Sequence, residues 1–195
     1  MNRRYAAIPL AVAITLAGCG APRATVPTAA TAPVPDDAVG RAAALLAEAD
    51  APATSAIRRA TLVAALDRLG SAAQRDSEDD PLARWRNEGE AAGQAAVPDR
   101  GRALGPAYRS GWLEPGANKA LDQLFLAGQT ARIALTSPDR QPIALTISDP
   151  ASKIICRQDG PPPGRCQWVS VFTQRYRIEL ANRGQVRLRY FLVTN

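Results

Sequence analysis

Few residues of this sequence are arranged to do chemistry. Histidine is absent, which excludes Ser-His-Asp and Cys-His catalysis and histidine-ligated zinc or haem. Ser152 and Lys153 are adjacent and lack the S-x-x-K spacing of a serine-lysine site. The acidic run 76–80 lacks the alternating ligands and central glycine of an EF-hand loop, so a solvated, helix-capping loop is favoured over a cation site. We therefore expect no enzyme activity, no cofactor and no metal.

The N-terminus has the features of a secretory signal. Two arginines precede an apolar stretch over residues 6–16 that is too short to span a bilayer. Residues 16–19 read Leu-Ala-Gly-Cys, which resembles the lipobox of bacterial lipoproteins. The resemblance implies removal of signal peptide 1–18 and acylation of Cys19, which anchors the chain to a membrane. Because Gly20 replaces the Asp of inner-membrane lipoproteins, it also implies the outer membrane, facing the periplasm or the cell surface.

The two remaining cysteines flank a turn-rich loop. If Cys19 is acylated, Cys156 and Cys166 are left to pair with each other in an oxidising periplasm. The closed loop of 11 residues would then contribute ~3 kcal/mol in the chain-entropy model. A reactive thiol at Cys156 is the less favoured alternative, because the chain has no histidine to activate it.

The composition of the 195-residue chain changes along its length. Residues 19–37 hold the lipidated Cys and a tether rich in Pro, Ala and Thr. Residues 38–98 have helical periodicity with a narrow, alanine-filled apolar stripe, which suits a helical hairpin or a helix packed on a neighbour. The capping signals predict three helices: about Ala38 to Ala49 after Asp37, a second after Thr54 or Ser55, and Pro81 to about Ala92 after Asp80.

Residues 107–195 alternate apolar and polar side chains with a period of two. Turn residues such as Ser137-Pro138 and Asp149-Pro150 separate the alternating runs. Short strands at this spacing predict an antiparallel β-sandwich in which each sheet buries one face. The runs are 131–136, 143–147, 168–171, 175–180 and 186–193.

The order of these segments resembles the bacterial pre-peptidase C-terminal (PPC) domain. That family implies a small jelly-roll-like β-sandwich, so the expected fold class is α+β, with short N-terminal helices before an antiparallel jelly-roll-like sandwich. It also implies a role in binding substrate or matrix. Gln174 departs from the pattern, since the family usually has glycine there. The matching positions are Gly116, Asp122, Phe125, Gly128, Asp149, Pro150, Tyr176, Asn182, Gly184 and Tyr190.

The positive charge of the chain is concentrated in the predicted sandwich. Residues 106–195 carry 12 basic and 6 acidic groups, whereas residues 1–105 carry 12 of each. A three-residue loop at 182–184 predicts a hairpin in which Leu180 lies opposite Val186 and Arg177 lies opposite Arg189. The resulting basic strip is either a solvated face, which we favour, or a site for an anionic partner. Its members are Arg175, Arg177, Arg187 and Arg189.

These features predict a non-catalytic cell-envelope lipoprotein whose sandwich binds a protein or glycan partner. The alternative is a structural or assembly accessory subunit of an outer-membrane complex. An envelope enzyme is the least favoured, because no serine-lysine or paired-carboxylate constellation stands out. Nucleic acid is not an expected partner, because the chain is predicted to lie outside the cytoplasm.

Overall fold

A computed structural model describes residues 37–93 and 105–195 of the chain. The predicted signal peptide, Cys19 and nearly all of the predicted tether lie outside these ranges. None of the described helices combines the length and the apolar character that a membrane span requires. The elements are α1 (Ala38–Asp50), α2 (Ala56–Arg68), β1 (Ala72–Ala73), α3 (Pro81–Ala91), β2 (Ala107–Leu113), β3 (Asn118–Phe125), β4 (Thr130–Thr136), β5 (Ala144–Ser148), β6 (Ile154–Gln158), β7 (Gly164–Val169), β8 (Gln174–Ala181) and β9 (Leu188–Thr194).

The helices begin at the capping residues that the sequence predicts. The Asp37 carboxylate accepts from the Gly40 amide at 2.7 Å and so caps α1. Ser55 caps α2, and Asp80 caps α3 with proline at the first helical position. These side chains accept hydrogen bonds from amides that have no partner within the helix. The three predicted helices are therefore confirmed.

The strands form two sheets that pack face to face. The first sheet has the order β1-β2-β9-β4-β7, and the second has the order β3-β8-β5-β6. The pairing is antiparallel except between β1 and β2. From β2 to β5 the chain changes sheet at every step, and it does so again from β6 to β9. This alternation confirms the predicted α+β class with a jelly-roll-like sandwich.

The first sheet is covered on both faces. Its inner face meets the second sheet in a core that includes Ile133, Ile178, Leu180 and Leu192. Its outer face is covered by helices, whose residues form a second core with side chains from β2, β4 and β9. Every residue of β9 is buried as a result. Burial of each large apolar side chain contributes about 1.5–3 kcal/mol, so the helix layer and the sandwich stabilise each other. The sheet contributes Tyr108, Ala134, Phe191 and Val193 to the second core.

The predicted hairpin between the last two strands is wrong. β8 belongs to the second sheet and β9 to the first, so they face each other across the core instead of pairing. The Asn182 side chain redirects the chain between them, donating to the carbonyls of Leu113, Glu114 and Val186 at 3.0, 3.1 and 2.8 Å. Alternation determines which side of a strand is buried. It does not determine which strand lies beside it.

The end of β7 and the turn after it place an aromatic ring in the core and leave two valines exposed. Val169 and Val171 are 60% and 73% exposed, and the Trp168 ring points inward. Trp168 makes edge-to-face contacts with Phe125 and Tyr176, with ring centroids 5.0 Å away in each case. This aromatic cluster fills one end of the sandwich, because a large ring buries more apolar area than a valine does.

Candidate functional site

The predicted disulfide is present in the structure. Cys156 on β6 is bonded to Cys166 on β7, with their Cα atoms 6.1 Å apart. Since β6 and β7 are edge strands of different sheets, the bond joins the two sheets along one side of the sandwich. Its position indicates a structural role. Cys19 lies outside the described residues, so its acylation stays a prediction.

The four arginines of the predicted basic strip do not share a face. Arg187 precedes β9, where it pairs with Glu114 at 2.8 Å. Arg175 and Arg177 are exposed on the outer face of the second sheet, where Arg177 lies opposite Asp122 and Ser148. Arg189 lies on the outer face of the first sheet, opposite Trp112 and beneath the helix layer. The predicted opposition of Arg177 and Arg189 is therefore wrong, because their strands belong to different sheets.

Arg189 is part of a buried ionic cluster. Its side chain is 4% exposed, and its Nε and Nη2 donate to Asp50 and Asp79 at 3.1 and 2.8 Å. The guanidinium also lies 5.4 Å from the Trp112 ring centroid and 5.0 Å from that of Phe191. Asp50 ends α1 and Asp79 precedes α3. The cluster therefore joins the helix layer to β9, which is a structural role.

The acidic loop 76–80 is held against β2. Asp76 accepts from Arg109 at 2.8 Å, and this bond is the main reason that the pKa of Asp76 is lowered. Burial opposes ionisation of Asp79, but hydrogen bonds from Arg189 and Ser110 outweigh it and lower the pKa of Asp79. The Glu78 amide donates to the Ser110 carbonyl at 3.1 Å, so the loop also covers the edge of the sheet. As predicted, Asp80 caps α3, and Asp76, Glu78 and Asp80 are exposed to solvent. The pairing of Asp76 and Asp79 with arginines of β2 and β9 was not predicted.

A cleft of about 280 Å³ opens on the outer face of the second sheet. Arg175 and Arg177 of β8 form one wall, with Asp122 of β3 beside them. Arg177 donates to Glu179 at 2.9 Å, a pair in which both side chains are more than half exposed. Arg175 makes no salt bridge with any residue of the described ranges. The cleft is lined by Asp122, Ser148, Asp149, Pro150, Ser152, Arg175 and Arg177.

The floor of the cleft includes a turn that Asp149 organises. Asp149 Oδ1 accepts from the amides of Ala151 and Lys153, each at 2.9 Å, and its own amide donates to the Lys153 carbonyl at 3.0 Å. Ser152 adopts the left-handed conformation, with φ 64°. The Asp149 carboxylate is thus engaged in shaping the turn, and Ser152 lines the cleft together with Arg175 and Arg177.

The cleft is lined by both cationic and anionic side chains. Arg175 and Arg177 are donors of the kind that suits a carboxylate or a phosphate, and Asp122 and Asp149 line the same cleft with carboxylates. Among residues 37–93 and 105–195, no three His, Cys, Asp or Glu side chains are grouped to hold a metal ion.

The basic strip predicted from the sequence includes Arg175 and Arg177, but the other residues of the cleft were not predicted as part of one site. Asp122 and Asp149 matched a family pattern, yet nothing in the sequence placed them in one cleft with Ser148. Strand pairing creates this cleft, because β3 and β5 both lie beside β8. The sequence signal that could have indicated an open face is the charged and polar character of β8 at 175, 177 and 179.

No protein-family model and no curated protein matches this chain. Among solved structures, the chain is similar to PliG of Aeromonas hydrophila, a periplasmic inhibitor of g-type lysozyme, at 17% identity and a TM-score of 0.39, covering 46% of this chain and 84% of that one. It is similar to the Yersinia pseudotuberculosis-derived mitogen at 13% identity and a TM-score of 0.39, covering 46% and 84%. It is also similar to the pre-peptidase C-terminal domain of a Bacillus anthracis collagenase at 7% identity and a TM-score of 0.38, covering 45% and 87%. At these TM-scores the likenesses carry no conclusion about function, and membership of the PPC family stays a prediction.

Proposed function

We propose that this chain is a non-catalytic cell-envelope lipoprotein that is anchored by acylated Cys19 and binds an anionic envelope partner. The partner is a protein segment rich in Asp and Glu, or an anionic glycan polymer. The observation that carries the proposal is the contrast between the arginines. Arg189 is buried and paired with two carboxylates, whereas Arg175 and Arg177 are exposed beside a polar cleft.

The chemistry of the cleft supports an anionic ligand. A guanidinium donates in a planar fork that matches carboxylate and phosphate oxygens. The exposed pair between Arg177 and Glu179 contributes little, so a ligand can replace it at low cost. The excess of basic groups over residues 106–195 adds long-range attraction for the same class of partner.

The experiment is a crosslinking pull-down of the full-length protein from its own membranes. It compares the unchanged chain with R175E/R177E and with a charge-matched control, R183E/R187E, in which both altered arginines are exposed and outside the cleft. We expect a partner that the unchanged chain and the control retain and that R175E/R177E loses. Loss from both variants, or from neither, would contradict binding in the cleft.

The same preparation tests the anchor and the class of partner. The variant C19S should move from the membrane fraction to the soluble fraction, because several acyl chains on one residue make a stable anchor. If C19S stays in the membrane fraction, the predicted anchoring is wrong. Co-sedimentation with purified cell-wall polymer distinguishes a glycan partner from a protein.

A further inference from the structure

Five large apolar side chains are exposed at one end of the sandwich. Leu126 lies in the turn between β3 and β4, and Val171 and Phe172 lie in the turn between β7 and β8. Leu124 and Val169 lie at the adjoining ends of β3 and β7. Their exposed fractions range from 45% to 73%. We call these five residues the apolar tip.

Hydrogen bonds join the two turns that form the apolar tip. The Gly128 amide donates to the Ser170 carbonyl at 2.7 Å, and the Ser170 amide donates to the Gln129 carbonyl at 3.2 Å. The Ala127 amide donates to the Thr173 hydroxyl at 3.0 Å, and the buried Ser170 hydroxyl donates to the Phe172 carbonyl at 2.7 Å. These backbone groups are thus paired within the protein. The tip can therefore move from water into a lipid phase without leaving them unsatisfied.

The surroundings of the apolar tip are basic. The strands β3, β4, β7 and β8, which adjoin the tip, carry five basic residues and two acidic ones, Asp122 and Glu179. Arg175 lies opposite Leu124 in the second sheet. Arg132 lies on β4, two residues from Thr130, which is opposite Val169 in the first sheet. Neither arginine has a salt-bridge partner in the described part of the chain.

We propose that the apolar tip inserts into the headgroup region of an anionic lipid bilayer, where Arg132 and Arg175 contact lipid phosphates. Exposed apolar patches of this kind mark protein or membrane contacts. The excess of basic over acidic residues at this border favours the bilayer, since a surface of anionic lipid attracts arginine in any arrangement. This second membrane contact goes beyond the acyl anchor. It shares Arg175 with the cleft, but the five apolar residues that insert lie outside the cleft.

Fluorescence quenching by brominated lipids tests the insertion. The full-length chain carries F172W, or I57W as a matched control, because Ile57 is 80% exposed on α2, away from the tip. Both substitutions are made in acylated and in C19S protein, so that the test does not depend on the anchor. The unchanged chain provides the background from Trp85, Trp112 and Trp168.

With vesicles of phosphatidylcholine and phosphatidylglycerol, we expect quenching of the fluorescence added by F172W and none of that added by I57W. In the C19S background, V171S/F172S should weaken vesicle binding at least about tenfold relative to I57S. Transfer of one large apolar side chain from water into the bilayer raises the binding constant by about that factor. Equal quenching at both positions, or none at position 172, would overturn the proposal. So would a photo-crosslinker at position 172 that captures a protein while lipid quenching is absent.

Discussion

The outer faces of the two sheets use arginine in opposite ways. On the first sheet, helices cover the face, and Arg189 is held between Asp50 and Asp79. On the second sheet no described helix covers the outer face, and Arg175 and Arg177 line an open cleft. On one face an arginine holds the helices to the sheet, and on the other face arginines are exposed and available for binding. Coverage by the helices makes the difference.

The largest expected effect compares two phenylalanines. Phe191 is fully buried under the helices, so F191A should lower the free energy of unfolding by about 4 kcal/mol, through lost burial and the cavity left behind. Phe172 is 67% exposed, and F172A should change it by less than about 0.5 kcal/mol. Urea unfolding followed by circular dichroism measures both. Equal losses would mean that the helix layer does not stabilise the first sheet.

The next effect compares two arginines. R189A should lower the free energy of unfolding by about 3 kcal/mol, because it leaves two partly buried carboxylates without their partner. R177A should change the free energy of unfolding by no more than about 0.5 kcal/mol, because its ion pair with Glu179 is exposed. The same unfolding assay applies. A stable R189A protein would show that the ionic cluster is dispensable for docking the helices.

The smallest effect is a pH dependence confined to the covered face. The folded-state pKa of Asp79 is lowered, so its contribution to stability is present above its ordinary pKa of about 4 and is lost as the pH falls through the folded value. D79N should therefore be less stable than the unchanged chain at neutral pH, and the difference should shrink towards about pH 3. Unfolding free energies measured over this range test it. A difference that stays constant with pH would contradict the ionic role of Asp79.

Much of the local structure could be predicted from the sequence. Asp37, Ser55 and Asp80 cap the helices, because a side-chain acceptor before a helix meets an unpaired amide within three residues. The pairing of Cys156 with Cys166 also followed, since acylation of Cys19 would leave no other thiol. The caps depend on residues that are close in sequence, and the disulfide depends on the small number of cysteines in the chain.

Strand partners could not be predicted in the same way. The alternating segment 176–180 is compatible with pairing to the next strand or with facing it across a core, because both bury the same side chains. The inward side of β7 was undetermined for a related reason, since Trp168 and Val169 lie on opposite faces of the strand and either could be buried. Trp168 is the residue that faces inward, because Phe125 and Tyr176 on other strands pack against its ring.

By itself, the sequence determined the helix caps, the disulfide, the antiparallel sandwich and the absence of histidine chemistry. The tertiary structure alone decided which arginines remain available to a partner. Arg189 meets Asp50 and Asp79 from 139 and 110 positions away along the chain, and no local pattern encodes such contacts. Burial and pairing of a charge depend on the elements that pack above it, so the assembled layers, and not strand periodicity, separate Arg189 from Arg177.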